Sequence, residues 1–178
     1  LSAAQIRLVD AAELMLATGS LPSLASAPSF AWLVDSMRLP SSLRTPAMLT
    51  LAGRLCRRWM QQHDARAVLQ LLAPVPAEEF LSHANTALPL LWALIIELRL
   101  DEAADLLQKI RPEALLQDLS LPFAEIDNTL EACSLLIRLS GDESLAAGQR
   151  TTLLGRITEK TSPLQTELLN RHAALLYA

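Results

Sequence analysis

Apolar residues return along this chain at intervals of three and four, the spacing that places side chains on one face of a helix. Ile6, Val9, Leu14 and Leu16 mark a first helix over residues 3–18, followed by Gly19, which suits the left-handed turn at a helix end. A shorter stretch follows from Ser20. Phe30, Leu33, Val34 and Met37 then share a face over 29–37, introduced by Pro28 and closed by Leu39-Pro40. Met48, Leu51, Leu55 and Trp59 define a longer helix over 46–62. Asp64 reads as the cap of a short helix over 65–72, which Pro74-Val75-Pro76 terminates. A turn of helix at 77–83 leads to an almost wholly apolar helix over 87–98, and Asp101 reads as the cap of 102–110. A further helix over 122–139 stops at Ser140-Gly141-Asp142, where Asp142 reads as the cap of another.

The elements recur. Asp64-Ala65-Arg66-Ala67-Val68-Leu69 aligns with Asp101-Glu102-Ala103-Ala104-Asp105-Leu106 at an offset of 37, and Pro40 with Pro76 and Pro74 with Pro112 repeat at 36 and 38. Including Ser20 and Asp142, the four cap positions are spaced 44, 37 and 41 apart. Periods of this size mark stacked helical hairpins, each burying a face against the next. The expected architecture is all-α: a right-handed α-solenoid of about four stacked hairpins, a tetratricopeptide-like superhelix, forming one domain over 1–178. The alternative is a plain helical bundle with evenly spaced loops.

Composition supports the helical reading. Forty Leu and 27 Ala stand against 11 Val and Ile, too few β-branched residues for a β-sandwich or a parallel-sheet enzyme. The net charge of −4 is the wrong sign for gripping a phosphate backbone, so direct nucleic-acid contact is not expected. The longest apolar run, from Ala87 to Ile96, contains Pro89 and is about half the ~20 residues a membrane span requires. Cys56 and Cys133 lie in apolar stretches with no metal-ligand spacing, which fits buried free thiols in a reducing cytoplasm. The N-terminus lacks Met and any targeting pattern, and reads as the start of a fragment of a longer protein.

Candidate chemistry is sparse. The five glycines form no phosphate-binding loop, and none of His63, His83 and His172 has a carboxylate or second His three or four residues after it. No nucleophile motif selects a serine, and Glu78-Glu79 and Asp101-Glu102 fall in first turns, where negative charge meets the helix dipole favourably. No enzyme activity, cofactor or metal is expected. Arg54, Arg57 and Arg58, with Arg66 nearby, concentrate positive charge beside Trp59. Arg54, Arg58 and Trp59 are the candidate interaction surface, suited to an acidic partner or anionic ligand. The other readings are a solvated face for the arginines and a core position for Trp59.

The segment "LRLDEAADLL" at 98–107, with "LLAPVPAEEFLSHANTALPLLWALIIELRL" leading into it, resembles the helical-repeat region of large ATP-dependent LuxR-type transcription activators. That region habitually carries G-R-x-D-E-A-x-x-L-L, and Leu98-Arg99-Leu100 departs from it where the glycine stands before the Asp. The resemblance spans about half the chain and rests on core and capping positions, so it transfers no ligand residue. It implies a central sensor section, with the nucleotide-binding and DNA-binding modules elsewhere in the protein. Its implied partners are a small-molecule effector or a regulatory protein, with self-association through the full-length protein. The alternative is a general tetratricopeptide-like scaffold for chaperone or secretion-apparatus assembly.

Overall fold

A computed structural model describes residues 21, 24, 31–81, 83–115 and 121–161, and these are helical with no strand among them. The helices are α1 (Ala31–Met37), α2 (Pro46–Gln61), α3 (Ala65–Leu72), α4 (Ala77–Phe80), α5 (Ala84–Ile96), α6 (Leu100–Lys109), α7 (Pro112–Leu115), α8 (Phe123–Gly141) and α9 (Ala147–Lys160). A short 3₁₀ turn, Ser41–Leu43, joins α1 to α2. The helix expected over 3–18, with Gly19, Ser20, Pro28 and Phe30, lies outside the described residues.

Local chemistry explains the boundaries. Thr45 caps α2, its Oγ1 accepting from the Met48 N–H at 3.3 Å, and Pro46 occupies the first turn, where a missing N–H costs nothing. Asp64 caps α3 by accepting from the Ala67 N–H at 3.0 Å, as the sequence indicates. Two other cap assignments need correction. Asp101 lies inside the first turn of α6, which begins at Leu100 behind Arg99. Asp142 closes α8 and accepts from the Ser144 N–H at 3.0 Å, a local turn that takes up its side chain before α9 starts. The α9 terminus is held by Gln149, whose side-chain oxygen accepts from the Ala146 N–H at 2.9 Å.

The repeat has a different register from the one read in the cap residues. Both α2 and α5 end on a residue with left-handed backbone, His63 (φ 62°) and Leu98 (φ 60°), 35 positions apart. In the first turn, Asp64 N–H donates to the Trp59 carbonyl (2.9 Å) and His63 N–H to Met60 (3.1 Å). In the second, Arg99 N–H donates to Leu94 (2.8 Å) and Leu98 N–H to Ile95 (3.0 Å). The same two-bond closure therefore ends both helices. Arg99 replaces Asp64, and burial follows this register: Val68 and Leu71 in α3 correspond to Ala103 and Leu106 in α6, all buried. The offset of 37 pairs buried Leu106 with half-buried Leu69. The side chains facing the core, rather than the capping polar residues, set the repeat.

All thirteen residues of α5 except Leu90 are buried, and α2, α3, α4, α6 and α8 all pack against it. A helix that is apolar on every side has no stable place except inside, and each fully buried Leu or Ile contributes about 1.5–3 kcal/mol. The remaining packing joins elements that are consecutive or one apart in the chain: α1 with α2 and α3, α2 with α3, α6 with α8, α7 with α8, and α8 with α9. Of these, α8 also meets α5. The buried side chains form a contiguous core running from Leu33 and Met37 to Leu153 and Ile157. Leu21 is buried beside the end of α2, where Gln62 bonds both its N–H (3.1 Å) and its carbonyl (3.2 Å).

The backbones of α2 and α5 approach closely at Gly53. A Cβ on Gly53 would lie 2.8 Å from the Asn85 carbonyl oxygen and 2.9 Å from its carbon. Pro89 lies one helical turn beyond Asn85 and has no N–H to donate to that carbonyl. Glycine thus lets α2 settle onto the backbone of α5 where the proline disturbs it.

Two sets of variants test these points. Gly53→Ala should lower stability by about 1–3 kcal/mol because backbone, not a flexible side chain, blocks the added methyl. Gly155→Ala in α9 meets nothing within 4 Å and should raise stability by about 0.5–1 kcal/mol. Urea titrations of both variants give the comparison, and equal shifts would refute the close approach. Leu98 is 57% exposed, so Leu98→Gly sacrifices little burial while relieving left-handed strain. It should raise stability by about 0.5–1 kcal/mol in the same assay.

Candidate functional site

Two surfaces have the features of a binding site. The first is a groove of about 300 Å³ between α3 and α6, members of adjacent hairpins, with α5 beneath it. Leu69, Leu72, Leu90, Leu94 and Leu106 make its apolar lining together with Val75 and Phe80. Arg99, Glu102, Asp105 and Lys109 line its charged side along α6. These four positions recur every three or four residues and so lie on one face of the helix. Arg99 and Glu102 pair at 2.6 and 2.5 Å, which holds the Glu102 carboxyl below the usual carboxylate range through the Arg99 hydrogen bonds.

Ala77 and Phe80 reach the groove from α4, which is anchored from outside it. Short α4 carries Glu79, and Arg44 reaches it from the connector before α2, with Nε 2.7 Å from Glu79 Oε2. Arg44 also donates to the carbonyls of Met37 (2.8 Å) and Leu39, and Ser41 donates to Glu79. The Arg44 side chain is only 3% exposed and that of Glu79 17%, and this partly buried clasp ties α1, the 3₁₀ turn and α4 together. The Arg44 guanidinium holds the Glu79 carboxyl below its ordinary value. Sequence reasoning assigned Glu79 only to the helix dipole and passed over Arg44, because nothing in the local pattern shows that residues 35 positions apart will meet.

The second surface is the exposed edge of α2. Arg54 is exposed there, and Arg58 follows one helical turn later and donates to Gln61 at 2.9 Å. Arg57, between them, reaches beyond its own hairpin to Asn85 of α5 (3.3 Å) and to Glu125 of α8 (3.1 Å). Arg66 belongs elsewhere: from the first turn of α3 it bonds Glu97, at the end of α5, at 3.2 Å. Trp59 does not join this surface. It is 1% exposed and sits in the core facing inward from α2, because the Met48-Leu51-Leu55-Trp59 stripe is the face that α2 buries. Trp92 is likewise buried in α5.

The remaining candidates resolve simply. Cys56 and Cys133 are free and buried, and burial pushes both thiols far above their ordinary pKa, which leaves them poor nucleophiles. His63 provides the left-handed turn after α2, and His83 precedes α5 without capping it by its side chain. His172 lies outside the described residues. Among the described residues no group of three or more His, Cys, Asp or Glu could hold a metal ion, and no helix is long and apolar enough to cross a membrane. Compared with known proteins, the chain matches no family model, no curated protein and no solved structure.

The Arg44–Glu79 clasp carries a pH signature. A carboxyl whose folded pKa is lowered adds stability above its unfolded pKa, ordinarily 4.5, and loses it as pH falls through the folded value. Glu79→Gln should therefore be less stable than wild type by about 1–3 kcal/mol at pH 7. The gap should close below pH 4.5, and thermal melts from pH 7 to 3 measure it. A gap that stays constant with pH would show that the carboxylate charge contributes nothing.

Proposed function

We propose that this chain is a non-enzymatic helical-repeat segment that senses an effector and mediates protein contacts in a LuxR-type transcriptional regulator. The observation that carries the reading is the repeated hairpin. The α2/α3 and α5/α6 pairs end their first helices on the same left-handed turn 35 residues apart, and packing runs from each hairpin to the next: α2 and α3 on α5, then α5 and α6 on α8. Packing of each hairpin on the next is what a solenoid requires, and the reading takes the array as a right-handed, tetratricopeptide-like superhelix. The motif at 98–107 adds to this, since Leu98 adopts the left-handed backbone at the position where the LuxR-type repeat carries glycine.

The groove between α3 and α6 is the effector site in this reading. A small molecule seated there touches two adjacent hairpins at once, so it favours the hairpin spacing that fits it and shifts the curvature of the array. That bias is transmitted to flanking modules or to a bound regulatory protein. The two buried free thiols agree with a reducing cytoplasm.

A melting screen of the chain against sugars, organic acids and anionic metabolites tests this. A ligand at a hundred times its Kd stabilises by about 2.7 kcal/mol. One chemical class should raise the melting temperature, and Ala73→Trp, which places an indole at the groove edge, should remove the response. A flat screen would transfer the weight to a plain protein scaffold, and a response that survives Ala73→Trp would move the effector out of the groove.

A further inference from the structure

We propose that the Arg54–Arg57–Arg58 edge of α2 docks an acidic peptide segment of a partner protein, and that Glu125 is the internal carboxylate this segment displaces. The assignment deepens the interaction-module reading and rests on it. Three guanidinium groups fall within five consecutive residues of one helix, on a chain whose net charge is −4. Positive potential concentrated on a globally acidic molecule selects an acidic partner by complementarity and speeds its encounter.

The geometry adds a switch to the charge. Arg57 spans from the first hairpin to the third, passing Asn85 on the way, and its carboxylate partner stands in the first turn of α8. Both α2 and α8 have α5 as a main packing neighbour, so the pair acts as a brace across α5. The side chains of Arg57 and Glu125 are 39% and 44% exposed, and an ion pair this open exchanges readily for an external carboxylate. Glu125 thus holds the place of a partner's acid. When a segment with several carboxylates engages Arg54 and Arg57 together, its local concentration at Arg57 exceeds what a lone acid achieves. The brace opens, and α8 is no longer tied to α2. Arg58 borders the same edge while bonded to Gln61, and Trp59 is excluded by its burial.

The test uses the whole 178-residue chain and a fluorescently labelled hexaglutamate peptide, read by polarisation at low and moderate salt. Wild type should bind, with affinity falling as salt rises. Glu125→Gln should bind about two- to fivefold tighter, because the internal competitor is gone. Arg54→Glu and Arg57→Glu should each weaken binding by about tenfold or more, and Arg57→Gln provides a milder variant should charge reversal disturb folding. Amide exchange in the first turn of α8 should rise when the peptide binds. Each variant's melting curve checks that it is folded. Equal affinity of Glu125→Gln and wild type would overturn the displacement, and binding insensitive to Arg54 and Arg57 would overturn the surface. Preferential capture of a single-stranded oligonucleotide over the peptide would overturn the assignment to an acidic protein segment. A metabolite that stabilises the chain through the groove, without peptide binding at α2, would overturn the docking surface and leave the effector reading standing.

Discussion

The burial of α5 is the constraint on which the rest of the molecule depends. Its thirteen residues include four Leu, two Ile, one Trp and a Pro, and water is unfavourable for nearly every face. Five helices gather round it, and their own apolar stripes are satisfied in doing so. One of these contacts, α2 upon α5, is permitted by one missing side chain at Gly53. The helix with the least surface polarity thus determines where the amphipathic ones go, and they in turn carry the charges that face solvent.

The turns show how the same geometry is reached with different chemistry. His63 and Leu98 adopt the left-handed conformation that glycine takes most cheaply, and each closes its helix with the same pair of backbone bonds. The next residue differs: Asp64 caps α3 with its carboxylate, whereas Arg99 cannot cap and bonds Glu102 instead. Core packing tolerates this exchange because neither side chain is needed inside. For the same reason, an alignment built on acidic caps drifts two residues from one built on burial.

Charge on this molecule works mainly by joining segments that are distant in the chain. Arg44 fastens the connector before α2 to α4, Arg57 links α2 to α8, Arg66 links α3 to the end of α5, and Glu131 of α8 receives both Arg156 and Lys160 of α9. Of these, the Arg44 clasp is the most enclosed and the others are more open to water. Only the first is expected to weigh heavily on stability, while the open pairs can be traded for external partners at little cost.

By itself the sequence determined the helical class, the helix over 65–72 and its Asp64 cap, the proline breaks, and the burial of Cys56 and Cys133. These follow from propensity and from periodicity within a few turns of chain, where the interacting groups are sequence neighbours. It also placed Arg54 and Arg58 on one edge of α2, but left open whether Trp59 belonged with them or in the core. Tertiary structure settled that, because the side of a helix that turns inward depends on what it meets. The true repeat register, the groove between α3 and α6, the Gly53 contact, the Arg44–Glu79 clasp and the Arg57–Glu125 brace were likewise decided by packing. Each joins residues about 30 or more positions apart, and local sequence carries no record of such meetings until the apolar faces have found one another.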